Sequence, residues 1–364
     1  MNELDEFVES SHSSDLEREI ERLKDEREKL RRQLRQAHRD DDTAEKVREK
    51  IFEIAAISPE QPSWLYTPGE GGAPGVPMTL WSDWHFGEVV DPDAVGGVNE
   101  FDSEIAIRRA DYLANKVVDI CFEHMVNPQY PGIVVALGGD MMTGDLHEEL
   151  SDTNDKYPLQ QFTDLLDVLV RNLSLVADKF GKVFVPCVVG NHGRNTLKKR
   201  SKGIVFTSYE WLLYCMLERF FQNDARIQFL IPNETDAHFK IYGHRYMMTH
   251  GDNLGVKGGD GIIGALGPIM RGATKVGRAE AQVGRDFDTL IMGHWHQHYP
   301  LRTVIVNGSL KGYDEYARNW LRVPYEPPIQ NLWFTHPENG ITSHWPIFLE
   351  KRRSGTGEWT SWKE

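Results

Sequence analysis

The stretch FDTLIMGHWHQHYP, residues 287–300, places three alternating histidines directly after an apolar run. The run Leu290–Met292 has the composition of a short buried strand, and Gly293 would end it. The three histidines are His294, His296 and His298. Alternating imidazoles at a strand end are either exposed by chance or gathered around a metal ion. The other strands of the chain decide between these two interpretations.

Four other apolar runs are also followed at once by Asp, Asn or His. The motifs, in chain order, are Asp83-Trp84-His85, Gly138-Gly139-Asp140, Gly190-Asn191-His192 and His250-Gly251-Asp252. Ligands of open α/β sheets bind beyond the carboxyl ends of the strands, so side chains at these positions would meet. A lone strand-end histidine is more often structural than functional, but chance does not explain five such motifs in order. The sequence therefore predicts one site built from five strand ends.

The chain around these motifs alternates strand-like and helix-like sequence. Seven runs have the composition of strands: Met78–Ser82, Gly132–Leu137, Lys182–Val189, Arg226–Ile231, Tyr246–Thr249, Asp288–Met292 and Thr303–Val306. Helices are expected near 103–125, 158–180 and 204–223, and residues 260–283 fit a basic helix near the site or merely a surface one. This alternation predicts an α/β domain with a layered sheet core.

The types of the candidate ligands indicate which metals they would hold. Imidazole, carboxylate and amide oxygen together suit Mn, Fe or Zn better than Mg or Ca. The motifs contain more ligands than one tetrahedral zinc ion needs, and two ions bridged by a carboxylate would use them. Two such ions can hold a hydroxide between them and clamp the oxygens of an in-line phosphoryl displacement. The residues therefore favour a dinuclear centre that hydrolyses phosphoesters.

The order D-x-H, G-D, G-N-H, H-G and G-H-x-H, over about residues 78–310, resembles the calcineurin-like metallophosphoesterase family. The resemblance implies a four-layer α/β/β/α sandwich with two metal ions. By motif position it implies these ligands: Asp83, His85 and His296 for one metal, and Asn191, His250 and His294 for the second. It also implies that Asp140 bridges the ions, and that His192 contacts the scissile phosphate and helps to protonate the leaving oxygen. His298 lies outside the motifs.

The sequence departs from the family pattern directly after G-N-H. Family members usually carry an acidic residue there, whereas this chain has Gly193 followed by Arg194. The carboxylate that supports the motif histidine would then come from elsewhere, and Asp145 and Asp252 are the candidates. Every predicted ligand position is filled, which favours a catalytic protein over a degenerate relative.

Residues 14–57 have the pattern of a helix that precedes the motif-bearing domain. Ser14 and Glu17 have the spacing of a capping box. Six apolar residues then follow a heptad-like alternation: Leu16, Ile20, Leu23, Leu30, Leu34 and Ala37. About three repeats are the lower limit for predicting a coiled coil, and self-association into a homo-oligomer is the favoured interpretation. The alternative is an amphipathic helix that packs on its own domain.

Changes of composition along the chain predict its domain organisation. The expected parts are a helical or coiled-coil segment at 1–57, a Pro- and Gly-rich linker at 58–77, a metallophosphoesterase domain at 78–350 and a polar tail at 351–364. The three cysteines have no paired spacing, which favours a reducing compartment. Neither a secretory signal nor an apolar run of about 18 residues is present, so a cytoplasmic protein without membrane contact is expected.

Two local features bear on the substrate, although the net charge of −14 means that any nucleic-acid-binding face would have to be local. The segment after His192 carries cations that could follow a phosphate backbone, or could form an ordinary solvated loop: Arg194, Lys198, Lys199, Arg200 and Lys202. Tyr313, Tyr316 and Trp320 could stack on bases, although such spacing is more often found in a core.

Together, the heptads, the basic segment and the metal motifs resemble, more weakly, the SbcD-type repair nucleases and phosphoesterases encoded by phages. The leading hypothesis is a manganese-dependent phosphodiesterase that cleaves DNA, in the host cytoplasm if the chain is phage-encoded. A phosphodiesterase for small nucleotides or cyclic dinucleotides is the first alternative, and a protein phosphatase the next. The alternative from another class is a coiled-coil scaffold whose metal site is structural.

Overall fold

The computed structural model describes residues 61–66, 75–126, 128–146, 148–256 and 264–350, with Arg22, Lys24 and Lys29. The chain divides into two compact units, Met1–Ile57 and Ser58–Glu364. Apart from three exposed helical residues, the predicted coiled coil lies outside the described residues, as does the predicted tail.

The strands of the described residues are β1 (Val76–Trp81), β2 (Ile133–Leu137), β3 (Val183–Pro186), β4 (Ile227–Leu230), β5 (Ala237–Ile241), β6 (His244–Met248), β7 (Thr289–Met292), β8 (Tyr299–Pro300), β9 (Val304–Val306), β10 (Ile329–His336) and β11 (Gly340–Phe348). They form two sheets, ordered β11-β10-β1-β2-β3-β4 and β5-β6-β7-β9-β8. Strands β1 to β4 run parallel in the first sheet, and β6, β7 and β9 run parallel in the second. Each sheet therefore contains a set of neighbouring parallel strands whose carboxyl ends share one edge.

The helices of the described residues are α1 (Ser103–Glu123), α2 (Glu148–Thr153), α3 (Pro158–Phe180), α4 (Tyr209–Phe220) and α5 (Leu266–Gln282). Helix α1 begins after Asp102, whose side chain accepts a hydrogen bond from the N–H of Ile105. Helix α3 has Pro158 at its first position and ends at Gly181, where φ is 73°. Among the described residues, no helix is long and apolar enough to cross a bilayer.

The main core lies between the two sheets. Met78 and Trp333 from the first sheet pack with Phe239, Tyr246 and Ile291 from the second, and all five are nearly or fully buried. These apolar side chains would be half exposed on an isolated sheet, so burying them against the facing sheet stabilises both sheets.

Helices cover the outer face of each sheet. Helices α1 and α3 pack side by side on the first sheet, and α4 packs against α3. Helix α5 covers the second sheet through the buried Ile269, which joins Leu290 and Val304 in a separate apolar cluster. The order of layers is helix, sheet, sheet, helix, which confirms the predicted α/β/β/α sandwich.

The sequence reading missed β5, β8, β10 and β11. Strand β10 is buried, but its sequence does not form an apolar run because it contains Gln330, Asn331 and Thr335. Gln330 donates to the carbonyl of Gly308, just after β9, and Asn331 donates to that of Val306 in β9, so these polar groups are satisfied by a neighbouring part of the chain.

The segment predicted as a linker, 58–77, contributes to the domain where it is described. Leu65, in the short 3-10 turn Ser63–Leu65, is fully buried in the inter-sheet core. Gln61 donates to the carbonyl of Lys240 and accepts from its N–H, at 2.6 and 2.8 Å. Strand β1 begins at Val76, two residues before the predicted domain boundary.

Candidate metal centre

The five motifs meet at the carboxyl ends of strands from both sheets. Strands β1, β2 and β3 are followed by the first three motifs, and β6 and β7 by the last two. Backbone bonds join the motifs across these ends: His85 N–H donates to the carbonyl of Asp140 and Gly293 N–H to that of His250, both at 3.0 Å. The loops that carry the candidate ligands are therefore fixed to one another.

The candidate ligands form groups whose ligand atoms all lie within 4.8 Å of one another. The three groups are Asp83, His85 and His296; Asp140, His250 and His294; and His85, Asp140 and His192. The first two contain six of the seven predicted ligands, divided as the motif positions implied. These Asp and His clusters could hold two metal ions, with Asp140 between them.

Asn191 is the seventh predicted ligand. Its side-chain oxygen is buried and has no hydrogen-bond partner among the described residues. A buried amide oxygen without a partner is costly, and a cation would satisfy it. Asn191 therefore fits a metal-ligand position.

The ring of His250 gives a further test of the fit to a metal. Its Nδ1 lies 2.9 Å from the carbonyl oxygen of Gly138, a partner that can only accept, so Nδ1 carries the proton. In the neutral ring Nε2 is then an acceptor, yet it lies 3.0 Å from Oδ2 of Asp140, which is also an acceptor. Two facing acceptors need a cation between them, and a metal ion or a second proton on the ring supplies it.

Electrostatic interactions and burial set the charge states of the metal-free site. Burial lowers the pKa of His250, but the carboxylates of Asp140, Asp83 and Asp252 together outweigh burial and hold this pKa well above its usual value. Burial raises the pKa of Asp140 less than the neighbouring His250 and His192 lower it, so this carboxylate stays ionised. Burial lowers the pKa of His294 to about 4, and burial beside Lys311 lowers that of His85. Ionised Asp and neutral His are the forms that bind metals, so Asp140, His85 and His294 are already in that form, whereas His250 has to release a proton when a metal binds.

Two glycines let the carboxylates approach the neighbouring strand ends. A Cβ at Gly190 would lie 2.1 Å from Oδ1 of Asp140, and a Cβ at Gly293 would lie 2.1 Å from Oδ2 of Asp83. Each carboxylate also accepts a backbone N–H just beyond that glycine, from His192 at 2.7 Å and from His294 at 2.8 Å. Both aspartates are thus fixed before any metal binds.

Backbone strain is concentrated at the site. Of the eight non-glycine residues with positive φ among those described, five are predicted ligands: Asp83 (56°), His85 (48°), Asp140 (49°), His294 (67°) and His296 (50°). The left-handed region is unfavourable for residues with a side chain, although Asp and His tolerate it better than most. Such strain persists only where the surrounding structure enforces it, and it gathers at functional sites.

His192 lies at the edge of the candidate ligand groups. Its ring centroid is 4.7 Å from that of His85, and its Nδ1 lies 3.3 Å from the carbonyl oxygen of Thr143. Burial lowers its pKa, although the carboxylates of Asp140 and Glu88 oppose this effect. The ring is therefore close to the proposed ligands and oriented by a backbone carbonyl.

Asp145 and Asp252 were the two carboxylates expected to support His192, and they lie in different surroundings. Asp252 forms an ion pair with Lys199, and Asp145 is exposed. The carboxylate that reaches the G-N-H loop is Glu210, on the first turn of α4, which the sequence reading did not single out. Burial and the neighbouring charge of Asp140 together raise the pKa of Glu210 to about 7.

A second polar group missed from the sequence borders the site. Lys311 is almost fully buried and donates to Glu88 at 2.8 Å and to Asp314. Glu88 lies 3.5 Å from Nδ1 of His85 and accepts a hydrogen bond from Thr143. Lys311 follows β9, so the sixth strand end also contributes, and the NGSLKG run after that strand was the available signal.

A cavity of about 910 Å³ opens onto the candidate ligands. Its lining includes His85, Asp140 and His296 together with the aromatic side chains of Tyr316 and Trp320. Trp320 is 80% exposed and lies in the π-helix Ala317–Leu321, so this aromatic side chain does not belong to the core. The cavity is larger than a phosphate group needs.

The predicted basic segment lies beside the site. Arg194 donates to the carbonyls of Asn191 and Thr196, at 2.7 and 3.1 Å, and so braces the loop that carries Asn191. Lys198, Arg200 and Lys202 are exposed, and none of the segment lines the cavity. Their binding to substrate stays a prediction.

The layers and the meeting of the motifs at one edge agree with what the resemblance implied. The chain has the fold of the calcineurin-like metallophosphoesterases. No protein-family model and no curated protein matches its sequence.

Solved structures similar to this metallophosphoesterase fold include a dimetal phosphatase from Danio rerio, at 11% identity and a TM-score of 0.35, covering 76% of this chain and 100% of that one. A predicted phosphoesterase from Streptococcus pneumoniae matches at 8% identity and 0.29, covering 76% and 99%. Vps29 from Entamoeba histolytica matches at 12% identity and 0.28, covering 75% and 99%.

Proposed function

We propose that the protein is a dinuclear metal-dependent phosphodiesterase. The observation that carries this proposal is the pair of Asp and His groups that a third group, containing His85 and Asp140, links together. We assign Asp83, His85 and His296 to one ion, Asn191, His250 and His294 to the other, and Asp140 to both. Manganese is the proposed metal, with iron or zinc as alternatives, because the ligands mix imidazole nitrogen with carboxylate and amide oxygen.

Two bound ions would supply an activated water and neutralise charge on the phosphoryl oxygens. The chain's own residues orient the reaction. The N–H groups of His192 and His294 hold the two carboxylates, and the carbonyl of Thr143 orients the ring of His192. We assign to His192 the contact with the scissile phosphate and the transfer of a proton to the leaving oxygen.

DNA is the proposed substrate. The supporting feature is the exposed cationic segment that continues from the G-N-H loop, since a phosphate backbone bound there would pass from the site onto Lys198, Arg200 and Lys202. The enzyme would then be a nuclease whose affinity depends on salt, because each phosphate contact releases counterions.

One observation favours a small nucleotide or cyclic dinucleotide instead. The cavity has exposed aromatic side chains at its rim and is lined by several carboxylates, among them Glu88, Asp314 and Glu315. Lys311 is the only lysine or arginine in its described lining, and it is already paired with two carboxylates. A short ligand that stacks on Tyr316 or Trp320 fits such a cavity better than a long polyanion.

A substrate panel tests the chemistry first. Manganese-loaded protein is offered an artificial diester, a monoester, labelled single- and double-stranded DNA, RNA and a cyclic dinucleotide. We expect hydrolysis of the diester, and failure on every phosphoester with two ions bound would favour the scaffold hypothesis.

A charge-neutralising variant then separates the two substrates. Replacing Lys198, Lys199, Arg200 and Lys202 by Gln or Ser should flatten the dependence of DNA affinity on salt, by about 0.7–0.9 in slope for each lost phosphate contact. The matched control neutralises three lysines and one arginine that are exposed on other surfaces: Lys179, Lys182, Lys240 and Arg302. Weak salt dependence and equal effects of both variants would identify the small nucleotide as the substrate.

A further inference from the structure

Gly193 follows the G-N-H motif where the family pattern has an acidic residue. Its φ lies outside the left-handed region, so backbone conformation does not require glycine here. A Cβ at Gly193 would lie 2.6 Å from Cγ and 3.0 Å from Cδ of Glu210. The side chain of Glu210 therefore occupies the space into which a side chain at position 193 would extend.

Glu210 reaches this space from a rigid element. It lies fully buried in the first turn of α4, and its own N–H is capped by the hydroxyl of Ser208 at 3.2 Å. Its Oε1 accepts from the N–H of Met141 at 2.5 Å, and its Oε2 accepts from the N–H of Gly190 at 2.6 Å. The carboxylate thus joins the G-G-D loop to the G-N-H loop.

Both N–H groups adjoin proposed ligands. Met141 follows Asp140, which we assign to both ions, and Gly190 precedes Asn191, which we assign to one. Hydrogen bonds from backbone N–H groups to a carboxylate are shorter and stronger than those between neutral groups. A neutral or apolar side chain at 210 would leave one or both donors unsatisfied, so the two loops would lose their common anchor.

We propose that Glu210 is a positioning residue of the metal centre, and that it supplies from helix α4 the carboxylate that Gly193 cannot. The inference rests on the proposed dinuclear function. Glu210 binds no metal itself; it fixes the distance between the loops that carry Asp140 and Asn191. Gly193 and Glu210 are then linked: the carboxylate that the family pattern has at position 193 is supplied in this chain from position 210.

Manganese binding to the full-length protein tests this directly, by calorimetric titration with the melting temperature recorded alongside. Glu210→Ala should weaken manganese binding by about 10–100-fold, the usual effect of removing a residue that orients ligands. Glu210→Gln should weaken it less, because one acceptor oxygen remains. Leu213→Ala is the matched control: it opens a cavity at a fully buried position of the same helix, so it should lower the melting temperature without changing metal affinity.

Moving the carboxylate back gives the sharper test. Gly193→Glu alone should reduce both stability and metal affinity, because its Cβ collides with Glu210. In the double variant Gly193→Glu with Glu210→Ala the space is open, and most of the lost affinity should return. Gly193→Gln with Glu210→Ala fills the same space without the charge and should recover less.

The outcomes are distinguishable. A wild-type protein that binds no manganese contradicts the proposed function. If the wild type binds two ions, the role of Glu210 is refuted when Glu210→Ala changes affinity no more than Leu213→Ala, or when Gly193→Glu gives no recovery. If Glu210→Ala does not fold, Glu210→Gln and the two double variants decide in the same way.

Discussion

Asp140 is held on several sides at once. One oxygen accepts the N–H of His192 at 2.7 Å, and the other faces Nε2 of His250 at 3.0 Å. Gly190 packs against the same carboxylate. A side chain fixed in this way changes little in position when its charge is removed, so a substitution here tests charge more than geometry.

Asp140→Asn should therefore abolish most metal binding and nearly all activity, because a neutral amide bridges two cations poorly. Metal content per chain, measured by elemental analysis after gel filtration, checks this. A ratio near two in the variant would refute the bridging assignment.

His192→Ala should lower activity without lowering metal binding, in contrast to Asp140→Asn. The ring is assigned to proton transfer and not to metal binding, so both ions should stay while the turnover rate falls by about 10²–10⁴-fold. Single-turnover hydrolysis of the artificial diester, with metal content measured on the same sample, separates the two. Full activity would place the proton donor elsewhere.

Lys311→Met should destabilise the fold. The substitution leaves Glu88 and Asp314 as buried carboxylates without their cation, and breaking a buried pair in this way costs about 3–5 kcal/mol. Denaturant unfolding measures the loss. Lys116→Met is the control, since its 3.8 Å pair with Asp119 is partly exposed and should contribute about 0–1 kcal/mol; equal losses would contradict the expectation.

The predicted ligands were visible in the sequence because each belongs to a short motif near the end of a strand. Glu88, Lys311 and Glu210 were not, since they act through distant partners. Lys311 meets Glu88 across 223 residues of chain, and Glu210 meets Met141 across 69. A local pattern does not record such contacts, and the hints in the sequence were the NGSLKG run after β9 and the family departure at Gly193.

At the scale of elements, the site depends on how closely strand ends approach. Gly293 ends β7 and brings its backbone against the Asp83 carboxylate from the first sheet. Any side chain there would push β1 and β7 apart at the point where the two sheets share the metal groups.

Gly293→Ala should consequently disrupt both metal binding and stability. Its Cβ would need to occupy a position 2.1 Å from Oδ2 of Asp83, which real contacts do not allow. Gly243→Ala, in the turn between β5 and β6, meets nothing within 4 Å and should be neutral. Metal titration and thermal melting compare the two, and similar behaviour would show that the close approach is unimportant.

Element prediction succeeded where one pattern dominated. Helix α3 has the predicted bounds, 158–180, since proline begins it and glycine ends it. Strand β11 was missed because its burial alternates poorly and Pro346 interrupts it, which a strand at the sheet edge tolerates. Strand β10 was missed for another reason. Its polar residues are satisfied by partners more than 20 residues away in the chain, which its own sequence does not show.

At the scale of the whole molecule, the unit Ser58–Glu364 contains every proposed ligand. Its amino-terminal edge is held by Gln61 and Leu65. Removing residues 1–57 should thus leave the metal site intact.

The deletion of 1–57 is expected to give a smaller species by light scattering, with activity on the artificial diester nearly unchanged. The heptads predicted for this segment would account for the change in mass. An unaltered mass would indicate that the segment packs on its own domain, and lost activity would show that it supports the site.

The left-handed backbone at five proposed ligands has a consequence for laboratory evolution. Each such residue costs of order 1–3 kcal/mol, and glycine would adopt the same φ at little steric cost. Unfolding measured with a chelator should accordingly find His296→Gly more stable than His296→Ala. A library selected only for heat resistance would then drift toward glycine at His296, whose side chain is partly exposed. The selected proteins would keep both sheets but would lose a proposed metal ligand.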